Sequence, residues 1–294
     1  MKLVVLKEKF FLFWFKTENK EWISFFRIIF GLFCLLHFLS VLSDFELLYT
    51  TKGVLPTDIM NVFTADYLIT LPKIISFFEN FGVNETSTVA VFKLVYISLC
   101  LLLIIGFFPR TAAFLLLFCQ IALVRGSSFY MYGVDFFTSM SLFYLILIPS
   151  DYHYSIFPKT KEEKQINTTP YLRLFQLHLS IAYFFSGFDK VLGFNWRNGE
   201  SIWKAINLPY ANLDFGFDFT FLVENPFLLI TIGWATILIE MCYPLFIWIP
   251  KTRNIWLFLT ISMHLGIALI LNLYFFSTLM IIWNLVAFYN FNKK

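Results

Sequence analysis

Residues 22–42 read WISFFRIIFGLFCLLHFLSVL, a run with one formal charge, at Arg27. A helix of about 20 residues rises about 30 Å, which matches the hydrocarbon core of a bilayer. Similar charge-poor runs recur to the C-terminus. The whole chain is 59% hydrophobic and 14% charged, whereas soluble domains average about 25% charged residues. The sequence therefore predicts an all-α, polytopic integral membrane protein.

Hydropathy predicts eight transmembrane helices and hence both termini on one side of the membrane. The predicted spans are 23–42, 88–108, 111–128, 134–149, 171–190, 227–248, 254–271 and 275–291. The termini and the loops on their side carry thirteen Lys and Arg, against six on the other side. By the positive-inside rule we expect both termini in the cytoplasm of a multi-pass protein of the plasma or inner membrane.

One transmembrane domain is predicted over residues 1–294, with no separate soluble domain. The most polar loop, 150–170, divides the spans four and four. Because both halves repeat the same order of long and short loops, we hypothesise an internal duplication of 1–150 and 171–294. The long loops 43–87 and 191–226 are rich in Trp, Phe and Pro, which predicts short helices at the membrane interface.

The net charge of +3 is spread over many loops and gives no continuous basic stripe, which excludes a nucleic-acid binder. Membrane lipid is the expected partner, and the sequence does not identify a protein partner.

Polar residues deep in a span are costly and indicate either packing contacts or function. Glu240, His264 and His178 fall at comparable depths, so we predict that Glu240 and His264 interact. One interpretation is an interhelical hydrogen bond, and another is a ligand site. A zinc or iron site is a third, but no spacing places two ligands on one helix face, and no metal is predicted.

The fifth span carries the most informative run, FQLHLSIAYFFSGFDKVLGFNWRNG at 175–199. At 100° per residue, its polar and small residues form one stripe that should face the bundle interior. The stripe consists of Gln176, Ser180, Tyr183, Gly187 and Lys190. Lys190 is predicted at the outer mouth near Trp196. It is then either an interfacial anchor or a partly desolvated lysine that acts as a base.

This run has the pattern Q-x6-YF-x2-G-x2-K-x5-W-x2-G and resembles the membrane domain of vitamin K-dependent gamma-glutamyl carboxylases. That domain belongs to the horizontally transferred transmembrane domain family. Other stretches of the chain are also similar to it. They are RIIFG at 27–31, GVLP at 53–56, YMYG at 130–133 and the segment from His264 to Phe276.

The resemblance implies a quinol-dependent carboxylase-like enzyme or oxidoreductase. In that family a lysine matching Lys190 deprotonates a reduced isoprenoid quinone of the vitamin K type, which then reacts with oxygen. His264 and Glu240 match family positions in the closing helices, and Tyr183 and Trp196 belong to the fifth-span motif. These four residues are the predicted cofactor-binding residues, with Lys190 as the catalytic base.

The chain also departs from the carboxylases. Ser128 stands where the carboxylases have a functional histidine, and Asp189 stands where they have a basic residue. The sequence also leads us to expect none of the large lumenal domain that follows the membrane domain of the carboxylases. The alternative is a non-catalytic membrane protein that binds lipid or a partner, such as an immunity or signalling component. On straight helices Lys190 lies roughly 13–16 Å from Glu240 and His264, which would favour an elongated, isoprenoid-tailed ligand.

Overall fold

The computed structural model describes residues 2–16, 21–51, 53–62, 64–151, 153–158 and 167–289, and all regular structure in these ranges is helical. The chain divides into two compact units. The N-terminal unit is Asn19–Ile166, and the C-terminal unit combines Met1–Glu18 with Asn167–Lys294. Of the two boundaries between these units, one follows Glu18 and the other follows Ile166, inside the polar loop 150–170.

The N-terminal unit contains two long helices connected by short ones, followed by two more long helices. Their bounds are α2 Glu21–Ser40, α3 Phe45–Tyr49, α4 Thr57–Val62, α5 Leu71–Glu79, α6 Glu85–Ile105, α7 Pro109–Gly126 and α8 Gly133–Leu147. The cap of α6 is Asn84, whose side chain accepts a hydrogen bond from the Ser87 amide. Proline begins α7, where a missing N–H costs nothing.

The C-terminal unit contains the N-terminal helix and the second set of long helices. The helix bounds are α1 Lys2–Phe15, α9 Thr169–Leu192, α10 Phe194–Arg197, α11 Glu200–Ile206, α12 Thr220–Glu224, α13 Pro226–Met241, α14 Tyr243–Phe246, α15 Arg253–Leu271 and α16 Tyr274–Phe288. The short helices predicted for both long loops are therefore present, as α3 to α5 and as α10 to α12.

Seven of the eight predicted spans coincide with one helix each, and the span 227–248 covers α13 and α14. Four of the described helices are long and apolar enough to cross a membrane. These four are α2, α6, α7 and α15, while α8, α13 and α16 are shorter apolar helices. Large apolar side chains on them are exposed, as at Leu94 (65%) and Phe258 (69%). Exposed apolar surface of this kind is typical of helices that face lipid, so the fold is consistent with a helical membrane protein.

Helix α1 packs in the C-terminal unit, which differs from the predicted division at 1–150. The reason is a set of polar contacts to backbone carbonyls near the end of α1. The Arg173 guanidinium donates a hydrogen bond to the Phe13 carbonyl at 2.9 Å and lies over the Phe13 ring. The Asn167 side chain donates to the Phe15 carbonyl at 2.6 Å.

Arg27 is buried, although its position in the first turns of a span suggests that it reaches the lipid headgroups. Its side chain is 0% exposed and donates hydrogen bonds to five backbone carbonyls. The acceptors are Leu103, Ile104, Ser150, His153 and Tyr154. Two of these carbonyls, Leu103 and Ile104, lie in the last turn of α6, where helix geometry leaves carbonyls without the usual i+4 amide donor. The guanidinium thus connects α2 to the end of α6 and to the segment after α8.

Candidate functional site

The polar stripe of α9 faces the interior of the C-terminal unit, as the sequence predicts. Gln176, Ser180, Tyr183 and Gly187 are all buried, and Lys190 is partly buried. The helix ends at Leu192, and the chain continues into α10. The polar residues of the most distinctive sequence motif therefore point toward α13 and α16 and not toward lipid.

Lys190 and Glu240 form an ion pair inside this unit. The Lys190 ammonium lies 2.7 Å from Glu240 Oε2, with 18% and 8% of the two side chains exposed. The same ammonium donates a hydrogen bond to Ser186 Oγ at 2.6 Å and lies 5.1 Å from the centre of the Trp196 ring. Asp189, the carboxylate next to Lys190 in sequence, is exposed. The counter-ion of Lys190 is therefore Glu240.

The predicted separation of 13–16 Å between Lys190 and Glu240 is wrong, because α9 and α13 approach very closely beside the pair. A Cβ added to Gly187 would lie 2.7 Å from the Met241 backbone nitrogen and 3.0 Å from the Glu240 Cβ. Glycine at position 187 therefore permits a helix contact that a larger side chain would prevent. One turn further along α9, this contact places Lys190 beside Glu240.

The segment after α9 also packs along α13. Lys190 is therefore placed beside α13 at a distance from the first residue of that helix. A Cβ on Gly233 would overlap the Trp196 carbonyl oxygen, and one on Gly199 would lie 2.8 Å from the Ile230 amide nitrogen. Gly199 also has a φ of +83°, a conformation that favours glycine. Lys190 thus lies alongside the last turn of α13, where Glu240 is located.

His264 takes part in a second polar group, centred on Tyr183. The Tyr183 hydroxyl lies 2.8 Å from His264 Nε2, and the Asn284 amide donates to the same hydroxyl at 2.7 Å. The Tyr243 hydroxyl donates to Asn284 Oδ1 at 2.8 Å. All four side chains are buried. The predicted contact between Glu240 and His264 is wrong: Glu240 bonds Lys190, and His264 bonds Tyr183.

The two polar groups are neighbours along α9, since Tyr183 and Lys190 lie two turns apart on the same face of this helix. His178, which the sequence places at a comparable depth, packs its ring against Trp283. Within the C-terminal unit, the structure thus brings together Lys190, Glu240, Tyr183, Trp196 and His264, all five residues that the sequence predicts for the site.

Sequence reasoning missed three participants, Ser186, Tyr243 and Asn284. Asn284 stands in the apolar run IIWNLVAF, where an amide requires partners in a membrane. That cost is the signal that identifies it. Ser186 and Tyr243 give weaker signals, because a hydroxyl in a helix can bond the backbone one turn earlier and a tyrosine commonly marks the membrane interface.

Among the described residues, no group of three or more His, Cys, Asp or Glu side chains is arranged to bind a metal ion. The chemistry available at the site is proton transfer. An ammonium and a carboxylate share one hydrogen bond, and a neutral chain of hydroxyl, amide and imidazole groups lies beside them.

Comparison with known proteins adds no relative to this description. No protein-family model matches the chain, and neither a curated protein nor a solved structure matches it.

Proposed function

We propose that this chain is an eight-span membrane enzyme that deprotonates a lipid-soluble quinol, with Lys190 as the base. The observation that carries the proposal is the partly buried Lys190–Glu240 pair, held beside His264 in a unit whose surroundings are apolar. The resemblance of the fifth-span motif to the quinol-dependent carboxylases supports the same assignment.

Glu240 gives Lys190 a route to the neutral amine. An ammonium proton moves from Lys190 Nζ to Glu240 Oε2 along the 2.7 Å hydrogen bond, which leaves an uncharged amine beside an uncharged carboxyl group. Since the pair carries no net charge before or after this transfer, the low-dielectric interior opposes it little. Lys190 Nζ then accepts the hydroxyl proton of the ligand, while Ser186 Oγ holds the amine in place.

The residues present fit a reduced isoprenoid quinone. Lys190 would accept a hydrogen bond from a ligand hydroxyl. The Trp196 ring would stack against the ligand ring, and a buried ring nitrogen of His264 would form a second hydrogen bond. Tyr183 is bonded to both Asn284 and His264, so it positions His264. A bound quinol supplies two electrons and two protons, which molecular oxygen accepts to give the quinone and hydrogen peroxide.

The alternative is a non-catalytic protein that binds lipid or a partner through its membrane surface. It is favoured by the fact that Lys190 and Glu240 satisfy each other within the protein, as buried ion pairs that serve packing do. In that case the pair would hold α9 against α13 and have no role toward a ligand.

Retention of a quinone separates the two functions. The protein is purified in mild detergent from membranes that contain isoprenoid quinones, extracted with organic solvent and analysed by mass spectrometry. The proposal predicts quinone at close to one molecule per chain. An unrelated multi-pass protein purified identically gives the non-specific background. Quinone at that background level in this protein would favour the non-catalytic function.

The orientation in the membrane belongs to the same proposal. All eight helices at the predicted positions cross the bilayer, including the shorter α8, α13 and α16. Both termini and the loop 150–170 then face the cytoplasm, because the basic residues concentrate on that side.

A further inference from the structure

The hydrogen bonds around Asn284 fix the direction of a chain of proton donors. The Asn284 Nδ2 group donates to the Met280 backbone carbonyl at 2.8 Å. A carbonyl oxygen only accepts, so this contact identifies the nitrogen and oxygen of the amide. The oxygen, Asn284 Oδ1, therefore faces the Tyr243 hydroxyl and accepts its proton at 2.8 Å.

The second Asn284 Nδ2 proton determines what Tyr183 can donate. It points to the Tyr183 oxygen at 2.7 Å, so this oxygen is an acceptor in that contact. The hydroxyl proton of Tyr183 is then free for its other neighbour, His264 Nε2, at 2.8 Å. Because His264 Nε2 accepts this proton, the neutral imidazole carries its own proton on Nδ1.

His264 Nδ1 is buried and has no hydrogen-bond partner among the described residues. The His264 residue as a whole is 3% exposed. A buried N–H without an acceptor is unfavourable, and such groups are normally satisfied by protein, water or ligand. The rest of the network is complete, so the unsatisfied group is specifically a donor.

We infer that His264 presents its Nδ1–H to an acceptor oxygen of the ligand, namely a ring oxygen of the quinol or of its quinone. The inference rests on the proposed function for the identity of the ligand. Tyr183, Asn284 and Tyr243 are positioning residues, since they act on the ligand through the tautomer of His264. Lys190 and His264 then have different roles. Lys190 accepts a proton from a ligand hydroxyl, whereas His264 donates a hydrogen bond to a ligand oxygen.

Nuclear magnetic resonance of the unliganded wild-type protein tests the tautomer. The chain has four His residues, so ¹⁵N-labelled histidine gives few ring signals, and His264→Gln assigns the one of interest. We expect a protonated Nδ1 and an unprotonated Nε2 in His264. Addition of phylloquinone, whose oxygens only accept hydrogen bonds, should move the Nδ1–H proton signal downfield. A proton on Nε2 would overturn the inference.

Two substitutions separate the nitrogens of His264. Gln places its amide near Nε2, where its oxygen still accepts from Tyr183, but it has no donor near Nδ1. Asn places an N–H near Nδ1 and loses the contact with Tyr183. Measured by quenching of tryptophan fluorescence, the dissociation constant of phylloquinone should rise about tenfold in His264→Gln, the effect of one buried hydrogen bond. His264→Asn, which keeps a donor near Nδ1 but loses the bond from Tyr183, should raise it by less than His264→Gln does.

The outcomes distinguish this inference from the proposed function. If phylloquinone binds the wild type and His264→Gln equally well, the inference is overturned while quinone binding stands. If the wild type shows the Nδ1–H tautomer and yet binds no phylloquinone, the proposed ligand is overturned while the donor role of His264 stands.

Discussion

Lys190→Met should destabilise the purified protein by about 3–5 kcal/mol, because it leaves the Glu240 carboxylate in an apolar interior without its cation. Glu240 is 8% exposed, and Lys190 lies 2.7 Å from its Oε2 atom. The free energy is read from equilibrium unfolding in detergent. The double variant Lys190→Met with Glu240→Leu should recover most of the loss, since it removes both charges together.

An exposed pair of the same chemistry provides the control. Lys204 and Glu200 also approach to 2.7 Å, but their side chains are 63% and 41% exposed. Lys204→Met should therefore change the unfolding free energy by less than about 1 kcal/mol. Equal effects of Lys190→Met and Lys204→Met would show that the Lys190–Glu240 pair is not buried as described.

Arg27→Met should have an effect of similar size, about 3–5 kcal/mol, in the N-terminal unit. The substitution keeps an apolar side chain of similar length but removes the guanidinium hydrogen bonds to five carbonyl groups. Each buried carbonyl left unsatisfied costs about 1–3 kcal/mol before relaxation. Arg27→Lys should recover little of this, because one ammonium with three donors does not span acceptors placed around a planar guanidinium.

Arg110→Met is the matched control for Arg27. The Arg110 guanidinium also donates to a backbone carbonyl at a helix end, that of Leu147 at 3.1 Å, but it lies on the surface. We expect a change below about 1 kcal/mol in equilibrium unfolding. If Arg27→Met is as mild as Arg110→Met, the Arg27 hydrogen bonds do not hold α2, α6 and the segment after α8 together.

Helix positions could be predicted from the sequence because long apolar runs leave few alternatives in a bilayer. The polar face of α9 could also be predicted from the sequence, since residues 176, 180, 183, 187 and 190 follow the helical period. Burial of Gln176, Tyr183 and Gly187 confirms that prediction.

The hydrogen-bond and ion-pair partners of these polar residues could not be predicted from the helical period. When depth in the membrane is counted along straight helices of equal length, Lys190 and Glu240 lie at different depths. In the structure, the close helix contact at Gly187 brings the two side chains together. The high cost of a lone charge in lipid was the better guide, because it requires that a buried carboxylate find a cation. The burial of Arg27 could not be predicted for a related reason. Its hydrogen-bond acceptors are carbonyls of other segments, which no periodicity within α2 reveals.

Lys190→Arg tests the central claim, that Lys190 is the base, most directly. Arginine keeps the charge and can still bond Glu240, but it does not lose its proton at working pH. The measurement is oxygen uptake by the protein in lipid nanodiscs supplied with reduced phylloquinone. We expect that the wild type accelerates uptake and that Lys190→Arg lowers the rate by about 100-fold or more, with thermal stability unchanged. A Lys190→Arg protein as active as the wild type would contradict it.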